Sequence, residues 1–194
     1  MAFEIEYPLG ATPLSEEEKE GLIPKHMTHH AELNEWEQLN IYKGEEWAWS
    51  RNREILNLAY LKQLHERMFD RTWSWAGTFR HSDKNIGVDW TQISSRIYDL
   101  LNDVEYQMEH QSFGMVEIAT RFHHRLVFIH PFPNGNGRHS RLMTDLLLHK
   151  MGLERFTWGR VNLVNPSDTR NEYIAALQEA DRGDYQRLLN FVNS

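Results

Sequence analysis

Cysteine is absent from this chain of 194 residues. That excludes a disulfide framework and any thiolate metal site, and makes a reducing, cytoplasmic setting the expectation. No apolar run approaches the ~20 residues that a membrane-spanning helix needs. The first ten residues also lack a basic stretch followed by an apolar core, so no signal peptide is expected. Positive charge is in deficit: 21 Lys and Arg stand against 28 Asp and Glu, a net charge of −7. A chain so acidic is not expected to bind nucleic acid generically, because such binding normally uses a basic face. Three catalytic motifs are missing: the Gly-rich nucleotide loop ending in Gly-Lys-(Ser/Thr), the kinase His-Arg-Asp, and the His-Glu-x-x-His zinc helix. What remains is 40% hydrophobic and 12% aromatic, enough for one globular unit with a sizeable core.

Proline is scarce as well, six in all, and two of the six fall in one short stretch, residues 130–141. It reads His130-Pro131-Phe132-Pro133-Asn134-Gly135-Asn136-Gly137-Arg138-His139-Ser140-Arg141. Upstream, Ile118, Phe122, Leu126 and Ile129 recur on one helical face; downstream, Arg141 to Lys150 is apolar enough for a buried helix, with Gly152 placed to end it. The intervening residues cannot continue either helix. Pro131 and Pro133 remove backbone donors, while Gly135 and Gly137 permit positive φ. Small residues alternating with asparagine let successive N–H groups converge, and the next helix adds its positive end: an anion site. Arg138 and Arg141 crowd that same end, where a cation costs on the order of 0.3–1 kcal/mol against the helix dipole. Charge concentrated where a helix disfavours it points to a negative ligand, here a small phosphate compound. His130 sets a base beside it.

Taken in order, the chain opens with an arm to Gly10. A short acidic helix follows, with the capping box Ser15-Glu16-Glu17-Glu18, ending near Gly21 and Pro24. Thr28 is a candidate cap for a helix from His29 to about Trp49, with Leu33, Trp36, Leu39 and Asn40 on its packing side and Gly44 as an interruption. Residues 53–69 repeat at helical spacing, and His65 reads as a helix contact and not a ligand. From Trp73 to Val88 the helical period stops. Two extended runs around Asp83-Lys84-Asn85 suggest a β-hairpin. Helices are then expected from Asp89 or Thr91 to about Met108, from Met115 to Ile129, from Thr169 to Ala180 and from Gln186 to Val192.

The run from His130 to Arg141 resembles the signature of the Fic family, His-Pro-Phe-x-(Asp/Glu)-Gly-Asn-Gly-Arg-x-x-Arg. Trp75-Ala76-Gly77-Thr78-Phe79-Arg80 is also similar to the lead-in of that family's hairpin. The likeness extends from about Gly10 to Val192 and is nearest to a short bacterial branch known as mobile mystery protein B. It implies an all-α Fic fold: a helical bundle around a central helix–loop–helix with one β-hairpin, the flap. Residues 1–52 would be an arm with an inhibitory helix, and residues 53–194 the core. It also implies a protein adenylyltransferase, moving AMP from ATP to a Ser, Thr or Tyr hydroxyl in a bacterial, toxin-like or regulatory setting.

The same likeness assigns roles. His130 would be the base, and Gly135, Asn136, Gly137, Arg138 and Arg141 would hold the phosphates. The flap residues Arg80, His81, Ser82, Asp83, Lys84, Asn85 and Ile86 would dock an extended stretch of the target protein by strand pairing. Thr28 and Glu32 fit the family's inhibitory motif, although Leu33 replaces its Gly or Asn. Glu32 would then pair with Arg141; alternatively it is a surface acid favouring the helix dipole. The acid that binds Mg²⁺ in the family is here Asn134, so Mg²⁺ with ATP is expected to bind weakly. Two other functions stay open: removal of AMP from a modified protein, and a nucleotide-binding module that docks a peptide with little catalysis. The target and the oligomeric state are not encoded in any motif.

Overall fold

The structure, a computed structural model, describes residues 12–26, 30–160, 163 and 167–194. The arm before Thr12 and the proposed cap Thr28 lie outside the described residues. The described part is helical, without a β-strand; one isolated bridge joins Leu22 to Trp73. None of the described helices is long and apolar enough to cross a membrane.

The elements are α1 (Glu16–Glu20), α2 (His30–Trp49), α3 (Leu58–Phe69), α4 (Ile93–His110), α5 (Met115–Ile129), α6 (Asn136–Lys150), α7 (Asp168–Ala180) and α8 (Gln186–Val192). Local chemistry fixes several ends. The Ser15 hydroxyl accepts from Glu18 N–H while the Glu18 carboxylate accepts from Ser15 N–H, the reciprocal capping box expected. Asn57 caps α3 through Tyr60 N–H, so Ile55 is buried before the helix begins. Ser167 caps α7 through Arg170 N–H. Asp89 closes a single 3₁₀ turn that leads into α4.

α5 runs through the centre, packed on α4 and α6. Its residues Ile118, Phe122, Leu126 and Ile129 are buried as the periodicity predicts, alongside Leu61, Leu64, Ile97, Leu100 and Leu147. A second apolar group joins α5 and α6 to α7 and α8 through Ala119, Leu148, Trp158, Tyr173, Ala176 and Leu188. The bend between α5 and α6 is thereby held from both sides.

The packing face of α2 differs from the expectation. Leu33 and Asn40 are buried, but Trp36 and Leu39 are exposed, and Glu37 is buried in their place. After Leu33 the buried face of α2 carries Glu37, Asn40, Gly44 and Ala48, polar and small side chains that apolar periodicity does not reveal. Gly44 does not interrupt the helix. It lets two backbones approach: a Cβ there would lie 2.8 Å from both N and Cα of Met68.

The hairpin is not formed. Residues 78–89 make an irregular loop with no ladder between its arms. Its backbone bonds instead to the α5–α6 bend, Arg80 N–H to the Pro131 carbonyl at 2.9 Å and Val88 N–H to the Ile129 carbonyl at 3.4 Å. The arms are also tied to each other and to the bend through the Arg80 side chain.

Gly44→Ala is therefore expected to destabilise the fold. Ala is preferred over Gly in a helix by about 1 kcal/mol, but overpacking against backbone that cannot rotate away costs about 1–3 kcal/mol. Thermal unfolding should show a Tm lowered by several degrees; an unchanged or raised Tm would mean that α2 can move off α3 freely.

Candidate active site at the bend between α5 and α6

His130 ends α5 in a left-handed conformation, φ 54° and ψ 60°. A non-glycine residue there is strained by about 1–3 kcal/mol unless its surroundings hold it. Arg80 does the holding. This arginine is 1% exposed. Its Nε donates to the His130 carbonyl at 2.7 Å, and its two terminal nitrogens donate to the carbonyls of Ser82, Val88 and Ile129. Asp83 is 3.8 Å away and exposed. The guanidinium thus neutralises the negative end of α5 and pins the loop that was expected to be a hairpin. Gly87, at φ 101°, passes so close that a Cβ would lie 2.8 Å from both the Arg80 guanidinium and His130 Cβ.

The imidazole of His130 is buried, and burial depresses its pKa to about 3, with Arg80 and Lys84 acting in the same direction. It is neutral at pH 7. Nε2 lies 3.0 Å from the hydroxyl of Thr12. Nδ1 makes no hydrogen bond of good geometry, although the Val127 carbonyl acts on the ring in the sense that favours a proton. An N–H at Nδ1 leaves the Nε2 lone pair facing the hydroxyl.

The following turn is built around Phe132, which is fully buried. Its ring stacks on His65 at 3.7 Å and meets Phe79 and His139 at wider angles. Asn136 closes the loop: its Oδ1 accepts from Phe132 N–H and its Nδ2 donates to the Phe132 carbonyl. Expected to donate to a phosphate, its buried side chain braces the backbone instead. Asn134 also turns inward, Oδ1 accepting from Gly135 N–H at 2.6 Å. Gly135 adopts φ 78°, and a Cβ there would collide with the Phe69 ring at 2.4 Å.

α6 starts at Asn136, earlier than the apolar run suggests, and no side chain caps it. Its first-turn amides therefore remain for a ligand or water. Arg138 projects from this turn over the Phe69 ring and pairs with Glu37 at 2.6 Å. The second Glu37 oxygen accepts from Trp73 Nε1 at 2.6 Å. Arg141 folds back toward Gly137 and hydrogen-bonds Tyr173. The expected pairing of Glu32 with Arg141 is not the one formed. Glu32 is exposed; five residues along a helix turn it ~140° away from the face that carries Glu37.

Several contributors carry no motif. His65 links two segments, Nδ1 accepting from Gly77 N–H and Nε2 donating to the Asn134 carbonyl. Tyr173 stands between Arg141 and His123, with its hydroxyl 2.8 Å from His123 Nε2. His139 holds the Leu61 carbonyl. For the histidines the only sequence signal is how many the chain has, and Tyr173 carries none. Of the expected flap residues, His81, Ser82, Asp83, Asn85 and Ile86 are exposed. Lys84 is not: its ammonium reaches Glu18 and the Pro13 carbonyl. Arg80 is buried and holds the loop in place, so it presents no surface to a target.

His65, His123, His130 and His139 all have pKa values depressed by burial, to about 3 for His123 and His130 and about 4 for His139. Below pH 6.5 the unfolded chain takes up protons that these folded residues refuse, so stability should fall as pH drops from 7 to 5, by up to ~1.4 kcal/mol per histidine per pH unit. Asp145, raised to about 6 by burial, opposes this as one group against these four and His124, whose pKa burial also lowers. A Tm that stays flat over that range would show that these rings are not held neutral.

Comparison with known proteins agrees with this geometry. The Fic/DOC family model matches residues 55–148. Protein adenylyltransferase fic-1 of Caenorhabditis briggsae is 29% identical over 120 residues, covering 60% of this chain and 22% of that protein. The chain thus spans less than a third of the length of such curated relatives. Among solved structures, BepC, a VirB-translocated effector protein of Bartonella tribocorum with bound AMPPNP, superposes with a TM-score of 0.70 at 18% identity, covering 88% of this chain and 89% of that one. A fragment of Caenorhabditis elegans Fic-1 superposes with a TM-score of 0.65 at 25% identity, covering 81% of this chain and 48% of that one. By the sequence of its bend and by the helices that build it, the stretch from residue 55 to residue 148 belongs to the Fic/DOC family.

Proposed function

We propose that the chain is a protein adenylyltransferase, transferring AMP from ATP to a Ser, Thr or Tyr hydroxyl of a target protein. The observation that carries this reading is the state of His130: a neutral imidazole with Nε2 3.0 Å from a hydroxyl, ahead of an uncapped helix start that bears two arginines. The names of the adenylyltransferase relatives support the same reading.

On this reading His130 Nε2 takes the proton of the incoming hydroxyl, whose oxygen attacks the α-phosphorus of ATP. The bond from that phosphorus to the bridging oxygen breaks, and pyrophosphate leaves. Arg138, Arg141 and the first-turn amides of Asn136 and Gly137 stabilise the phosphate charge, while Gly135 allows the backbone to come close. Exposed His81, Ser82, Asp83, Asn85 and Ile86 present the target, on a loop held by Arg80. Residues 1–52 supply regulation and residues 53–194 the catalytic core.

Mg²⁺ fits this bend poorly. Asn134 brings no carboxylate, and its amide oxygen already accepts from Gly135 N–H. No step is assigned to the ion. Asn134→Asp should lower the Mg²⁺ concentration needed for half-maximal transfer; an unchanged metal titration would remove residue 134 from the metal site.

Restraint comes from Glu37 in place of Glu32. Its carboxylate occupies the Arg138 guanidinium that a phosphate would otherwise claim. Glu37→Ala should tighten ATP binding about tenfold, the size of one charge-assisted hydrogen bond regained by the ligand. It should also lower Tm, since Trp73 Nε1 loses its acceptor. With ATP labelled at the α-phosphate, His130→Ala should cut transfer to protein by about 100-fold or more. ATP binding without label on any protein, in wild type and in Glu37→Ala, would refute the adenylyltransferase reading.

A further inference from the structure

Thr12 stands where an acceptor hydroxyl belongs. Its Oγ1 lies 3.0 Å from His130 Nε2, in a buried contact between residues 118 positions apart. With Nε2 as the lone-pair nitrogen, the Thr12 O–H donates to it, the arrangement that precedes proton removal. The segment is seated by several independent contacts. Leu14 is 5% exposed within the main core. The Pro13 carbonyl accepts from Lys84 Nζ at 3.2 Å, and Lys84 pairs with Glu18 in α1. The Glu18 carbonyl accepts from Trp75 Nε1, and the Gly21 carbonyl from Ser74 N–H. The chain from Thr12 to Gly21 is thus strapped between the exposed loop and the turn at residues 72–75, with one hydroxyl on the base.

We propose that Thr12 is the chain's own acceptor: its Oγ is adenylylated in cis at the His130 site. The proposal rests on the adenylyltransferase reading. Thr12 Oγ forms a bond to the α-phosphorus of ATP, the bond from that phosphorus to the bridging oxygen breaks, pyrophosphate departs, and the hydroxyl proton passes to His130 Nε2. No further reactant is needed. Lys84 performs for this strap the task expected of the flap toward a foreign peptide, holding the backbone next to the acceptor residue through its carbonyl. Holding nucleophile and base in one chain makes the transfer a positioned, unimolecular step once ATP binds.

The test uses the full chain with ATP and Mg²⁺, read by intact mass and by peptide mapping. Wild type should gain one AMP, on Thr12, at a first-order rate that does not change with protein concentration. Thr12→Ser should keep the modification. Thr12→Val, close in shape without the hydroxyl, should lose it while still binding ATP, and His130→Ala should lose it too. AMP found on other residues with Thr12 unmodified overturns this proposal and leaves the transferase reading intact. AMP found nowhere, in wild type and in Glu37→Ala, although calorimetry shows ATP bound, overturns this proposal; the transferase reading falls with it only when added proteins also stay unlabelled. A rate that rises in proportion to protein concentration overturns transfer in cis.

Discussion

A buried guanidinium set into the carbonyl end of the central helix governs the architecture of this protein. Among the described residues no buried carboxylate lies beside Arg80; its donors meet the carbonyls of Ser82, Val88, Ile129 and His130. Burial disfavours its charge, but a guanidinium stays protonated in proteins, so the charge must be compensated by dipoles. The terminal carbonyls of α5 are such dipoles, aligned and otherwise unpaired. One interaction thereby fixes the left-handed turn at His130, the direction of its imidazole and the seat of the exposed loop.

Around that anchor the site is polar yet electrically quiet. Four buried histidines are held neutral, each meeting a backbone or hydroxyl partner on at least one side. The cations at the start of α6 are answered from elsewhere: Arg138 by Glu37 on α2 and Arg141 by Tyr173 on α7. Both partners are displaceable in principle by phosphate oxygens, which would offer the same guanidiniums a more concentrated charge. In this state the groups at the bend are met by the chain's own side chains, the His130 imidazole by the Thr12 hydroxyl and the Arg138 guanidinium by the Glu37 carboxylate.

The places where sequence reasoning failed share one cause. Glu37 and Asn40 are buried because each satisfies specific donors and carbonyls: Trp73 and Arg138 for the first, Asp70, Arg71 and Thr72 for the second. A search for apolar recurrence passes over such a face and promotes Trp36 and Leu39, which are exposed. The hairpin fails similarly. The loss of helical period between Trp73 and Val88 fits strands, but the Ser82 and Val88 carbonyls accept from the Arg80 guanidinium and not from a strand partner. His65 and Tyr173 act through contacts to residues 69 and 50 positions away, Asn134 and His123, so no local pattern marks them.

From composition and local order alone came the helical class, the central pair of helices and the bend between them. Apolar spacing in α5, two prolines and two glycines are enough to define a helix, a break and a new helix. The residue types at the bend likewise set an imidazole beside glycines, asparagines and two arginines at a helix start. Tertiary structure decided which side chains are free to use that seat. Asn136 turned into a brace, Arg80 into a clamp, Glu37 in place of Glu32 meets an arginine of the bend, and a threonine 118 positions upstream came to rest on the His130 imidazole. Hydrogen bonds and ion pairs between distant segments depend on how whole helices dock, and that arrangement is a property of the packed core and not of any short stretch of chain.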